Sequence, residues 1–316
     1  MRGESPPEEL YLRSLHEELR RVQAELHSLQ GENRELRRLL SGVGPSLAAA
    51  TLTESRGERI RRDLEAAARI QRSLLPATAP CVAGARFAWA FHPCEELAGD
   101  NLNVIPLDEE HVALYVLDVS GHGVSASLLA VTLHRVLSTL ADENSLIRRR
   151  CAGGRYEPVP PAEVAGVLNR EFRFHLEHRQ YFTILYGILH LPTRRFRFVS
   201  GGHWGPIRVR PSGEARILHA PGFPIGVFEE TAYEEHEIEL EPGDRLFLYT
   251  DGIPEAIGES GETFDYERIE ACLAECRQGT LEACLETLVE RVASWTGRSR
   301  QEDDISVLAL ELDTGR

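Results

Sequence analysis

The chain of 316 residues contains no lysine; all 35 of its basic side chains are arginine. That absence excludes a nucleotide-binding loop with its phosphate-gripping lysine, a protein kinase with its strand lysine, and Schiff-base chemistry. Long apolar runs are also missing. The longest, such as Val112 to Leu117 and Leu128 to Leu133, fall far short of a membrane span, and the N-terminal stretch is polar rather than signal-like. The six cysteines, at 81, 94, 151, 272, 276 and 284, include no C-x-x-C pair and have no disulfide-like spacing. Reduced thiols and no spanning segment predict a soluble cytoplasmic protein without a membrane partner. Positive charge is in deficit: 50 acidic residues leave a net charge of −15. Residues 1–75 hold 13 Arg and 12 Asp/Glu, so the negative charge belongs almost wholly to residues 76–316. Such a field repels phosphate backbones, which argues against nucleic acid as a partner, and an acidic surface collects divalent cations.

Residues 12–43 carry a heptad pattern. The a positions are Leu12, Leu19, Leu26, Asn33 and Leu40, and the d positions are Leu15, Val22, Leu29, Leu36 and Val43. A lone Asn at one a position favours a parallel two-stranded coil in a single register. Among the flanking charges only Glu32 is placed to meet Arg37 of a partner, which suits a homodimer. A DNA-binding zipper is excluded, because Arg2 is the only basic residue before Arg13. Gly42, Gly44 and Pro45 break the helix, and a second helix is predicted from about Leu52 to Leu75, with Ile60, Leu64, Ala67, Gln71 and Leu74 on one stripe and Pro76 as its stop. The expected organisation is a dimerising coiled coil over 1–50, a linker or switch helix over 51–78, and a catalytic domain over 79–316.

Beyond residue 79 the pattern changes to short strands with turn punctuation. Strands are predicted at Arg86 to Phe91, Asn101 to Leu107, Val112 to Val119, Tyr181 to Leu191, Phe196 to Ser200, Ile207 to Arg210, Tyr233 to Leu240, Arg245 to Tyr249 and Ile305 to Leu310. Helices are predicted at Val124 to Leu140, Pro161 to Glu177, Tyr266 to Cys276 and Leu281 to Trp295. Hairpin turns at Pro192-Thr193 and at Glu241-Pro242-Gly243-Asp244 predict antiparallel pairing. The fold class is therefore α+β, with two helical layers around antiparallel sheets.

Acidic residues stand at the ends of four predicted strands. Asp100 opens one strand and Asp118 closes the next; both are equidistant from a turn near Glu109, so a regular hairpin puts their carboxylates at the same end. Asp251 follows Arg245 to Tyr249, and Asp303-Asp304 precedes the last strand. Carboxylates gathered at one rim repel one another and need cations. Hard oxygen ligands suit Mg²⁺ or Mn²⁺ rather than zinc. Two such ions about 3.5–4 Å apart can lower the pKa of a bridging water and clamp a phosphoryl oxygen, which points to hydrolysis of a phosphate ester.

These residues carry a family resemblance. Leu97-Ala98-Gly99-Asp100, Leu117-Asp118-Val119-Ser120-Gly121-His122-Gly123-Val124, Tyr249-Thr250-Asp251-Gly252-Ile253-Pro254-Glu255-Ala256 and Asp303-Asp304-Ile305-Ser306 resemble the ordered motifs of the SpoIIE/RsbU branch of PPM-type (protein phosphatase 2C-like) serine/threonine phosphatases. The resemblance runs over residues 70–312 and includes Ile70-Gln71-Arg72-Ser73-Leu74-Leu75-Pro76. It implies an α/β/β/α sandwich and a site with two Mn²⁺ or Mg²⁺ ions that dephosphorylates phosphoserine or phosphothreonine on a bacterial regulatory protein. The nucleophile would be a hydroxide activated by both metals. By the same resemblance Asp118 would bridge the metals with the Val119 carbonyl assisting, Asp251 and Asp303 would hold one metal, Asp100 would contribute directly or through water, and Asp304 would support. The implied substrate is a phosphorylated STAS-domain anti-sigma-factor antagonist in a stress-response partner-switching pathway. The family's first motif commonly reads G-G-D-x-x-D, and this chain has Asn103 at the second acidic position. That departure leaves a second class of function, a catalytically weak phosphatase-like scaffold that binds the same partners. No phosphate-gripping arginine is evident near the motifs, so the metals would carry the transition-state charge. His122 and His203 are expected to be partly solvated turn residues rather than acids, and Cys272 and Cys276 to form a core stripe.

Overall fold

The computed structural model describes residues 47–139, 145–151, 154–173, 180–297 and 301–314. The chain divides into two compact units, Met1–Ile70 and Gln71–Arg316. The heptad segment 12–43 lies outside the described residues. Helix α1 runs over Leu47–Leu74, taking in the predicted linker helix, and ends immediately before Leu75-Pro76.

In the second unit, strands β1 (Ala85–His92), β8 (Ile207–Val209), β9 (Ala215–Ile217), β11 (Arg245–Tyr249) and β12 (Ile305–Leu312) form one sheet in the order β1-β12-β11-β8-β9. Strands β2 (Asn101–Pro106), β3 (His111–Val119), β6 (Phe182–His190), β7 (Arg195–Gly201) and β10 (Glu235–Glu239) form the other in the order β10-β7-β6-β3-β2. All the ladders are antiparallel. Side-chain alternation explains why the sheets stack. On β3, Val112, Leu114 and Val116 enter the core between the sheets, whereas Ala113, Tyr115, Leu117 and Val119 face the other way into a second core. On β12, Leu308, Leu310 and Leu312 meet the same inter-sheet core, and Val307 and Ala309 enter a third.

Amphipathic helices close the two outer faces. Helices α2 (Val124–Val136) and α3 (Pro161–Glu171) bury Leu129, Leu133, Val164 and Leu168 on the β3-β6 sheet. Helices α4 (Asp265–Glu275) and α5 (Leu281–Thr296) bury Ile269, Leu273, Leu285, Leu288 and Val292 on the β11-β12 sheet. The result is the expected order of helices, sheet, sheet, helices, with three apolar layers between them.

Several local expectations are corrected. The turn Glu241 to Asp244 is not a hairpin: β10 pairs with β7 and β11 with β12 and β8, so the turn carries the chain from one sheet to the other. Helix α2 stops at Val136 and α3 at Glu171, shorter than their apolar patterns, and Phe172 leaves helical geometry at φ −110°, ψ 59°. The strands Arg148–Arg150 (β4), Tyr156–Pro158 (β5) and Ala215–Ile217 escape sequence-based expectation, because three residues are too few to display alternation. Cys276 and Cys284 form a disulfide with Cα atoms 5.3 Å apart, against the expectation of reduced thiols. The short connection between α4 and α5 brings them together, and neither is now a core thiol, although Cys272 is buried and free as expected. Cys276 and Cys284 are therefore not among the reduced thiols expected of a cytoplasmic protein.

Candidate metal centre

The β2-β3 register pairs Asn101 with Leu117, so the next step sets Asp100 opposite Asp118. Asp118 lies on the same face of β3 as Val112, Leu114 and Val116 and so points between the sheets at their open end. The other sheet delivers its acids to that end. Tyr249 pairs with Val307, which puts Asp251, two residues past β11, beside Asp303 and Asp304, just before β12. Thr250 links the sheets. Its hydroxyl donates to Asp100 Oδ2 at 2.8 Å and accepts the Ser306 amide at 3.0 Å.

Close backbone approach makes the convergence possible, and two glycines permit it. A Cβ on Gly252 would lie 2.0 Å from the Asp304 carbonyl oxygen, and one on Gly99 would lie 2.9 Å from the Val119 carbonyl oxygen. Neither distance is compatible with a side chain, so the turns bearing Asp251 and Asp100 can nest on their neighbours only through glycine.

Asp304 differs from the other acids. It is buried, and its carboxylate accepts the amides of Cys94 at 2.8 Å and Gly99 at 2.7 Å. Its oxygens are engaged in holding the loop 94–100 that presents Asp100. Cys94 Sγ also comes within 4.8 Å of carboxylate oxygens of Asp303 and Asp304, a neighbour that no sequence spacing reveals.

The electrostatics follow from burial and crowding. Burial, then the charges of Asp118 and Asp304, raise the Asp100 carboxyl well above its ordinary range. Burial, then Asp251, Asp303 and Asp304, push Asp118 up to about 8. Burial, then Asp303 and Glu255, bring Asp251 to about 6, and burial also raises Asp303. Among the described residues no arginine pairs with any of these acids. A donor set made up mainly of crowded carboxylates, with Cys94 at its edge, fits hard divalent cations.

Asn103 falls on the other side of β2. Its Oδ1 accepts the Val104 amide at 2.8 Å, and alternation sets it on the face opposite Leu102 and Val104, which line the inter-sheet core. The position does not face the carboxylate rim. His122 is exposed, with Nδ1 3.4 Å from Glu95, as expected. His203 is not solvated. It is buried, its Nε2 donates to the Tyr249 carbonyl at 2.9 Å, and its Nδ1 accepts the Thr183 hydroxyl at 2.7 Å. Burial lowers its pKa to about 4, so the ring is a neutral cross-link between the sheets.

Gln71 is a further residue whose role the sequence conceals. It falls on the predicted apolar stripe, yet it is buried and makes a two-way bond with Ala98: Nε2 donates to the carbonyl at 2.7 Å, and Oε1 accepts the amide at 3.0 Å. The last turn of α1 is thereby fastened to the residue two before Asp100. The polar residue inside the apolar repeat is the available signal.

A family model described as Stage II sporulation protein E (SpoIIE) matches residues 108–313, which include Asp118, Asp251, Asp303 and Asp304. This chain belongs to the SpoIIE family. It is 30% identical over 198 residues to "Phosphoserine phosphatase RsbP" of Bacillus subtilis (strain 168), covering 61% of this chain and 45% of that protein. It is 23% identical over 205 residues to "Phosphoserine phosphatase RsbU" of the same organism, covering 65% of this chain and 57% of that protein. The chain thus spans about half the length of the curated relatives it matches. Its fold resembles the SiaA-PP2C domain of Pseudomonas aeruginosa, at TM-score 0.66 and 22% identity over 81% of this chain and 98% of that one. It also resembles the PP2C phosphatase domain of SpoIIE from Bacillus subtilis, at TM-score 0.55 and 19% identity over 73% and 64%.

Proposed function

We propose that this SpoIIE-family chain is a cytoplasmic, metal-dependent phosphoprotein phosphatase acting on phosphoserine or phosphothreonine of a bacterial regulatory protein, with a phosphorylated STAS-domain protein as the substrate class. The observation that carries the reading is the mutual electrostatic crowding of the rim acids: after burial, Asp118 raises Asp100; Asp251 and Asp303 raise Asp118; and Asp303 raises Asp251, with none paired to an arginine among the described residues. The printed names of RsbP and RsbU support the reaction class.

Asp118, Asp251 and Asp303 would hold two Mn²⁺ or Mg²⁺ ions, with Asp100 and the Val119 carbonyl completing the set. When bound, such ions supply Lewis acidity for water activation and phosphoryl polarisation. The protein's own contribution is positioning: Thr250 orients Asp100, Asp304 holds the loop in front of it, and Gly99 and Gly252 let the turns approach. The scaffold alternative rests on Asn103. That side chain faces away from the rim, so no observation favours it.

The N-terminal part of the reading is a parallel homodimer through 12–43 that acts on the catalytic domain through the linker helix. The Gln71–Ala98 bond supports a route from the helix to Asp100, since a helix moved at Gln71 must move or abandon Ala98.

Turnover of p-nitrophenyl phosphate and then of a phosphorylated STAS protein, each with Mn²⁺, Mg²⁺ and EDTA, tests the proposal. Metal-dependent release of phosphate from both is expected. Binding of the STAS protein without hydrolysis under any metal would replace the enzyme with the scaffold.

A further inference from the structure

Beside the carboxylate rim the surface opens into a groove of about 340 Å³ between the turn after β11, the edge of α5 around Val289 and Ala293, and residues 301–303 before β12. Its walls divide by chemistry. Ile257 and Val289 supply apolar surface and Glu255 lines it with negative charge, while Asp303 belongs to both groove and rim. Ile257 is an exposed aliphatic side chain at this site, held in a turn closed by its bridge to Thr263. The volume lies at the lower end of the range for ligand clefts and is ample for one amino-acid side chain.

We propose that this groove is a specificity subsite of the protein substrate: an aliphatic side chain within about three residues of the phosphorylated residue enters it, flanked by arginine or lysine. The proposal rests on the phosphoprotein phosphatase reading above. Three residues of extended chain reach about 10 Å, so a phosphoryl group at the rim and a side chain in the groove can belong to one segment. The charge chooses the flanking residues. Glu255 attracts a cationic neighbour and repels an acidic one, in a body that is itself strongly negative. The metals would then recognise the phosphate, which every substrate shares, and the groove would read what surrounds it.

The test uses the full chain with Mn²⁺ and two phosphoserine peptides. In one, Leu and Arg flank the phosphoserine within three residues on both sides; in the other, Ala replaces Leu and Glu replaces Arg. The expected kcat/KM ratio between them is tenfold or more. Ala293 is an exposed α5 residue lining the groove, so Ala293→Trp fills it without disturbing the core, and Glu255→Gln removes its charge without placing a cation beside Asp251. Each substitution should bring the ratio below threefold. A wild-type ratio near one, or a preference that survives both substitutions, overturns the subsite while leaving the phosphatase intact. Failure to hydrolyse either peptide or p-nitrophenyl phosphate overturns the phosphatase reading and the subsite with it.

Discussion

The Thr250 hydroxyl sits between Asp100 of one sheet and the Ser306 amide of the other, buried where bulk solvent cannot replace it. Thr250→Val keeps the shape and deletes both bonds, so we expect a loss of about 1–3 kcal/mol in urea unfolding, with Thr250→Ser recovering most of it. The same change should weaken Mn²⁺ binding by about tenfold or more, as is usual when a ligand loses its supporting partner. His203 contributes a distinct part of the pH dependence, opposite in direction to the raised Asp100, Asp118, Asp251 and Asp303, whose protonation in the folded state adds stability as pH falls. Its folded pKa of about 4 lies below the ordinary 6.5, so the unfolded chain takes up its proton first as acid is added. Stability from this group is whole above about pH 6.5 and declines as pH falls toward 4, by roughly 3 kcal/mol in all. From pH 7 to pH 4 wild type should lose stability relative to His203→Gln by that amount; a difference that stays constant with pH would remove the histidine from the account.

At the scale of elements, the site depends on turns that meet. Gly252→Ala forces the Asp251 turn away from Asp304, and an expected cost of about 1–3 kcal/mol should come with lower metal affinity, read by calorimetric titration with Mn²⁺. Unchanged affinity would mean that the turns have slack. How much of the fold and site is legible in the sequence depends on the range of the interaction. Asp100 and Asp118 belong to one hairpin, whose geometry depends only on its turn, and they fall opposite each other as the spacing requires. The longer strands and four body helices are similarly legible from alternation and helical period. The crossing at Glu241 to Asp244 is not, because a tight turn looks the same whether the next strand returns to its own sheet or joins another. Nor is Gln71 legible: its partner Ala98 lies 27 residues away, and only the folded backbone shows that a carbonyl and an amide wait there.

At the scale of the whole molecule, the proposed coupling of the N-terminal coil to the carboxylate rim is open to direct test. Removing residues 1–50 should lower turnover at low protein concentration, with recovery at high concentration or on fusion to a foreign dimeric coil. Gln71→Ala in the full chain should not be rescued by that coil, because the break then lies between helix and loop; equal activity of the full chain and the 79–316 fragment at every concentration would leave the coil as a tether. The central claim is that carboxylates from two sheets form one metal centre that hydrolyses phosphate esters. Its most direct measurement is Mn²⁺ binding by calorimetry alongside p-nitrophenyl phosphate turnover for wild type, Asp118→Asn and Asp251→Asn. The account predicts that both substitutions weaken Mn²⁺ binding and abolish turnover together; near-wild-type turnover in either variant, at saturating Mn²⁺, would contradict it.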